Sequence, residues 1–285
     1  MAGRWRLELF FKTEEDLRAQ LPFLKSCHGR YFEGVNVTNK SKNDDLLRSL
    51  RTLRQAIPTL DVCLHVSLKY QPAPRGRDVF EHRIAPLMSA LDSDELRGCS
   101  VLLVNGSGPK RKVDTIATLK RLSKYNNGTP LFVAFNPYLP TGPARNEEYA
   151  RLKQKLKARP SNIAGVYLQM GTDINSLEKG IKFLRTQFDC LEGQTIDSAT
   201  QSPKILSPKI YGSIFYPTRK VLAQMRFRPW NGVYLSPEYL ENVENAKNVT
   251  KKVLAVYRAY GVVPLVESAL ISEEELQLAQ KLLSE

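Results

Sequence analysis

LFVAFNPYLPTGPARNEEYARLKQKLKARPSNIAGVYLQMGTD, residues 131–173, decides the fold. It opens on five apolar residues and breaks at a Pro-rich polar turn. It then runs through a helix-forming stretch at 146–158 and closes on a second apolar strand at 165–169, a βαβ unit. Both strands are nearly continuous in apolar residues, as expected of a parallel sheet covered on both faces. Polar residues gather where the strands end: Asn136 and Tyr138 after the first, Gln169 and Asp173 after the second. Carboxyl ends of parallel strands are where such folds hold ligands.

The same alternation extends in both directions. Upstream, strands are expected at 4–10, 31–38, 60–70 and 99–105, with helices at 13–26, 43–56, 77–91 and 113–122. Thr13 stands where it can cap an acid-first helix. Downstream, a helix at 174–188 precedes a polar, irregular segment at 193–208, read as a long loop. Strands at 209–216 and 262–268 and helices at 217–225, 236–260 and 272–283 follow. Eight strands alternating with helices predict a (β/α)8 TIM barrel, in which the third to sixth strands end at Lys69 or Tyr70, Asn105, Phe135 and Gln169.

No Ser/Gly-rich linker divides the 285 residues, so one domain over 1–285 is expected. Hydrophobic residues make up 42% and charged residues 25%, enough for a full core. Cysteines at 27, 63, 99 and 190 form no CxxC pair, and histidines at 28, 65 and 82 lack metal-ligand spacing, so reduced thiols and no metal are expected. With no secretory leader and no membrane-length apolar run, the expected location is cytoplasmic. A net charge of +13 favours an acidic partner, but the chain carries no RNP-like, helix-turn-helix or zinc-finger pattern, which argues against nucleic acid. Homo-oligomerisation is left open.

Polar residues at the strand ends are the candidates for chemistry. Glu8 lies between Leu7 and Leu9. Burial would raise its pKa and make it a general acid, whereas Arg6, of the same strand parity, would pair with it as a structural ion. His65 in CLHVSL reads either as a ligand contact or as a satisfied core histidine, and Thr38 and Asn39 as site residues or helix caps. Asn105-Gly106-Ser107-Gly108-Pro109-Lys110-Arg111-Lys112 would serve as a phosphate cradle or as a tight basic turn. Tyr138, Trp230 and Tyr234 could stack on a planar ring or pack locally.

Taken in order, LELFF, VNVTNKSKNDD, LHVSL, VAFNPYLP, LKQKL, GVYLQMGTD, YGSIFYP and VTKKVLAVYRAYGVVPLV give a chain that resembles the methylenetetrahydrofolate reductase family over nearly its whole length. That family is a flavin-binding (β/α)8 barrel. The resemblance implies Glu8 as the acid that protonates a folate-like substrate and Gln169 as a pterin contact. It places Thr38, His65 and Gly106 against FAD and Lys155 at its pyrophosphate. Asn105 and Phe135, at the ends of strands four and five, join the expected cofactor site. Two departures stand out: Asn105-Gly106-Ser107 replaces the family's Arg-Gly-Asp, and Phe11-Lys12 replaces its paired prolines. The expected activity is therefore hydride transfer from NAD(P)H through FAD to a folate-like substrate. The alternative is a non-catalytic barrel that binds another ligand or a protein partner.

Overall fold

Eight parallel strands close on themselves in sequence order in the computed structural model, which describes residues 5–71, 73–106, 113–124, 128–158, 163–194 and 208–285. The strands are β1 (Arg6–Leu9), β2 (Gly34–Thr38), β3 (Asp61–Ser67), β4 (Ser100–Val104), β5 (Leu131–Phe135), β6 (Ile163–Leu168), β7 (Lys209–Ile214) and β8 (Val263–Val266). Between them run α1 (Glu14–Cys27), α2 (Leu46–Ala56), α3 (Ala85–Leu91), α4 (Thr115–Leu122), α5 (Pro143–Ala158), α6 (Ile174–Gln194) and α7 (Arg219–Phe227). The short α8 (Pro237–Glu241) and then α9 (Val243–Ala259) lead to β8, and α10 (Glu273–Ser284) ends the chain. The expected (β/α)8 barrel is what the chain forms. The basic run Lys110–Lys112 and most of the 193–208 segment lie outside the described residues.

Strand parity divides the interior into two cores. Outward residues such as Leu7, Val35, Leu64, Leu103, Val133 and Ile210 pack against the helices. Inward residues Cys63, Leu102, Phe132, Tyr167, Tyr211 and Leu265 form a separate cluster inside the barrel. Tyr167 stacks on Tyr211 at 4.5 Å between ring centroids, and Phe132 meets both edge-on at 5.3 and 5.5 Å. This aromatic layer fills the waist, so the barrel is a packed core and the open space lies above it.

Local chemistry sets the element ends. Thr13 caps α1 through a reciprocal box with Asp16, as its position predicts. The third strand stops at Ser67 and turns through a 3-10 segment at Leu68–Tyr70, short of the expected end. The helix expected over 77–91 begins as a wide π turn at Phe80–Ile84, because Pro86 has no N–H to return to the turn before it. The helix expected over 236–260 breaks at Asn242, whose side-chain oxygen accepts the Asn245 N–H at 2.9 Å and starts α9.

Below the aromatic layer Arg6 is 1% exposed. It does not pair with Glu8 as a structural ion would. Its guanidinium turns sideways to β2 and β3, donating to Asn36 Oδ1 at 2.7 Å, to Asp61 Oδ2 at 2.6 Å and to the Val35 carbonyl at 2.9 Å. Gly34 makes this possible, since a Cβ there would sit 2.7 Å from Arg6 Nη1. Breaking a buried ion pair costs about 3–5 kcal/mol. The Asp61 side chain is 45% exposed, so water replaces part of what it gives. Asp61→Asn should therefore lower unfolding stability by roughly 1–3 kcal/mol in urea titration; no measurable change would mean that Asn36 and Val35 alone satisfy Arg6.

Candidate functional site

A cavity of about 610 Å³ opens at the C-terminal ends of the strands. It is bordered by the eight residues expected as acid, substrate contact or cofactor contacts, Glu8, Thr38, His65, Asn105, Gly106, Phe135, Lys155 and Gln169, whereas Asn39, Tyr138, Asp173, Trp230 and Tyr234 are not in its lining. The eight come from β1, β2, β3 and β5, from the turns after β4 and β6 and from helix α5, and barrel closure brings them together.

Glu8 and Glu267 form a carboxyl pair on this floor. Glu8 is 8% exposed and accepts a long hydrogen bond from Thr38 Oγ1 at 3.4 Å. Lys40 Nζ lies 3.9 Å from its Oε1 and 4.1 Å above the Phe10 ring. Glu267 follows β8, its N–H bonded to the Ile214 carbonyl at 2.9 Å and its carboxylate accepting from Ser213 Oγ. Burial first, and then the Glu267 charge, push the Glu8 carboxyl up to about 8, with Lys40 and Thr38 opposing. Burial raises Glu267 as well. Two carboxyls so placed do not both ionise near neutral pH, and the pair retains a proton. Arg6, committed to β2 and β3, does not enter this balance.

His65 is a satisfied core histidine that also borders the cavity. Its Nε2 lies 2.6 Å from Asn36 Nδ2 inside the barrel, and its ring borders the cavity, edge-on to Tyr167 at 5.6 Å. Burial, reinforced by Arg6 and Lys40, holds it neutral by pushing its pKa down to about 3. Asn39 caps no helix. It ties the 39–44 turn to Gln71, accepting from Gln71 Nε2 at 2.7 Å and donating to the Ser41 carbonyl at 2.6 Å, while Asp45 caps α2.

On the opposite wall several expected contacts are taken up by the fold. Asn105 Oδ1 accepts from the Thr115 N–H and hydroxyl at 2.8 and 2.5 Å. Gly106 has φ +77°, and a Cβ there would lie 2.7 Å from Ser67 Oγ and Lys69 Cβ, so a turn requirement explains it. The Phe135 ring points outward, packing on Tyr149 at 5.1 Å and Phe183 at 6.3 Å; only its backbone faces the mouth. Tyr138 is buried beneath Gly171 and is not free to stack on a ligand. Trp230 packs edge-on against Phe215 at 5.2 Å, and Tyr234 bridges Gly171 through its backbone. Gln169 uses Oε1 on the Met170 N–H at 2.8 Å, which leaves its amide N–H groups for the cavity.

Lys155 is no solvated helix charge. It is 6% exposed, donates to the Ala134 carbonyl at 2.7 Å and lies 3.7 Å from Glu148 Oε1. Burial lowers its pKa, and Glu148 and Asp114 oppose that shift. Arg151, also at the mouth, is bound by Asp114. The described lining thus carries four acidic side chains, Glu8, Glu147, Glu148 and Glu267, against two cations already paired. A pyrophosphate would enter beside Glu147 and Glu148, and no described aromatic ring in the lining, apart from the buried Tyr167, offers a face for an isoalloxazine. These residues do not fit FAD.

Glu267, Ser213 and Asn36 were missed from the sequence. Glu267 reads as a residue of a loop. A count of inward parity from Leu265 would have flagged it, and the same count would have turned Phe135 outward.

No family model matches the chain, and no curated protein matches it. Solved structures do. A Clostridium thermocellum protein that binds two copies of 5-methyl-5,6,7,8-tetrahydrofolic acid superposes with a TM-score of 0.55 at 9% identity, over 99% of this chain and 94% of that one. A dihydropteroate synthase from Thermus thermophilus in complex with 6HMPPP gives 0.48 at 13% identity, over 98% and 92%. An endo-1,4-beta-xylanase from Caldicellulosiruptor owensensis gives 0.49 at 14%, over 96% and 86%. What is shared is the fold. Among the described residues no helix is long and apolar enough to cross a membrane.

The carboxyl pair has a consequence for stability. Between its ordinary 4.5 and about 8, Glu8 keeps in the folded state a proton that the unfolded chain has lost, so stability falls as pH rises across that window. Glu8→Gln removes this loss. Its melting temperature should gain on wild type steadily from pH 5 to pH 8 and level off above; a constant difference across that range would show that Glu8 ionises normally.

Proposed function

We propose that the barrel binds a reduced folate at its C-terminal mouth and that Glu8 donates a proton to the ligand's ring. The observation that carries this is the Glu8–Glu267 pair, two acidic side chains set together in the lining of an open cavity, where burial raises both and the Glu267 charge raises Glu8 further, which favours a retained proton. The neighbour that binds 5-methyltetrahydrofolic acid supports the same class of ligand on this fold. Gln169 offers amide N–H groups to a ring carbonyl, and the Glu267 carboxylate offers an acceptor to ring N–H groups.

In such a site the bond between a methylene-bridged folate's one-carbon unit and one of its two nitrogens breaks toward that nitrogen, which keeps the electron pair and takes up the Glu8 proton. The lone pair of the second nitrogen on the same carbon closes to a C=N bond, so the ligand is left as an iminium cation and Glu8 as a carboxylate. The carboxylate left behind is stabilised by Lys40 at 3.9 Å and by Thr38. The resemblance to the reductases would assign the accompanying hydride to NAD(P)H by way of FAD. Because the described lining does not fit FAD, no step is routed through it. The same misfit favours a second reading, a folate-binding barrel without reductase chemistry.

Isothermal titration with 5-methyltetrahydrofolate and with FAD tests both readings. Saturable folate binding that weakens about tenfold in Gln169→Ala, roughly 1.4 kcal/mol, is expected. Added FAD should keep its free fluorescence. Absence of folate binding would defeat the proposal, and tight FAD binding with flavin-dependent turnover would restore the reductase in full.

A further inference from the structure

We propose that Asn36, itself held by Arg6, is a positioning residue that fixes His65 as the Nδ1–H tautomer, so that the cavity wall offers its ligand a permanent hydrogen-bond donor. A guanidinium donates and never accepts. The Arg6 Nε contact at 2.7 Å therefore identifies its Asn36 partner as the carbonyl oxygen and fixes which way the amide faces. The other end of that amide is an NH2 group, and it lies 2.6 Å from His65 Nε2. It can only donate, so Nε2 is an unprotonated acceptor and the ring's single proton sits on Nδ1.

The chain of contacts is anchored below. Arg6 is held by Asp61 at 2.6 Å, by the Val35 carbonyl at 2.9 Å and over the Tyr211 ring at 5.5 Å. Asp61, Arg6, Asn36 and His65 thus run from the amino end of the barrel to the cavity. The charged groups acting on His65 are Arg6 from β1 and Lys40 from beyond β2, and both resist a second proton; Tyr167 on β6 meets the ring edge-on, and Glu8 borders the same cavity. With Nε2 committed, His65 is neither an acid nor a base for the ligand. It selects an acceptor, a ring carbonyl or a bare ring nitrogen, on the ligand edge that faces β3, and it disfavours a donor there. This rests on the folate reading only for the ligand's identity; the tautomer belongs to the free protein.

Histidine-selective nitrogen NMR on the full chain tests it. Only three histidines, at 28, 65 and 82, are present, and His65→Gln identifies the signal. In wild type His65 should show a protonated Nδ1 and a bare Nε2, unchanged from pH 5 to pH 9. Asn36→Asp keeps an acceptor for Arg6 but turns the donor facing Nε2 into an acceptor. The ring should then carry its proton on Nε2 alone, with Nδ1 bare, and 5-methyltetrahydrofolate affinity should fall at least tenfold. A wild-type His65 that bears its proton on Nε2, or that titrates in the ordinary histidine range, overturns the proposal even if the variant does not fold. An inverted tautomer with unchanged folate affinity overturns the donor role. A wild type that binds no folate but keeps the Nδ1–H signature defeats the folate reading and leaves the tautomer standing.

Discussion

A guanidinium buried inside a closed barrel is the constraint on which the rest of the interior depends. Taking such a charge out of water costs several kcal/mol, and only well-placed partners offset it. Arg6 finds them on two neighbouring strands and above a tyrosine ring. The space it needs exists because Gly34 has no side chain. Each partner sits at an inward position or on the backbone of the adjoining strand, so the register of β1, β2 and β3 must be right before the charge can be accommodated.

The interior is graded from end to end. A cation and its acid occupy the amino end, aromatic rings fill the waist, and carboxyl, hydroxyl and amide groups line the carboxyl end. Arg6 and Glu8 lie two residues apart on one strand, yet the first is spent sideways and the second faces Glu267, with Lys40 at 3.9 Å opposing the shift only in part. Had the two paired, Glu8 would ionise like any surface carboxylate and hold no proton to give. The protonation of Glu8 at the mouth thus depends on where charge is satisfied at the base.

The fold was legible because near-continuous apolar strands such as LFVAF alternate with helices, a pattern that few architectures absorb. The site was partly legible. Glu8 and His65 interrupt apolar strands, and a polar residue there is either a core contact or a site; His65 is a core contact of Asn36 that also borders the cavity. What escaped were pairings that depend on closure. Nothing local links Arg6 to Asp61, 55 residues away, or Glu8 to Glu267 at the other end of the chain. The unbroken apolar runs that revealed the strands also hid which face of each pointed inward, and so Phe135 was expected in the cavity while its ring lies among the helices.

The segment that carries Asn231 and Gly232 over the mouth is fastened along its length. Asn136 Nδ2 holds the Gly232 carbonyl at 2.9 Å, the Thr172 N–H holds the Tyr234 carbonyl at 3.0 Å, and the Ser236 N–H binds Thr172 Oγ1 at 2.7 Å. A strap tied to the ends of β5 and β6 in this way behaves as masonry and not as a door. Among the described residues this segment gives the cavity a border fixed by three hydrogen bonds, and a molecule reaching the floor would pass beside it.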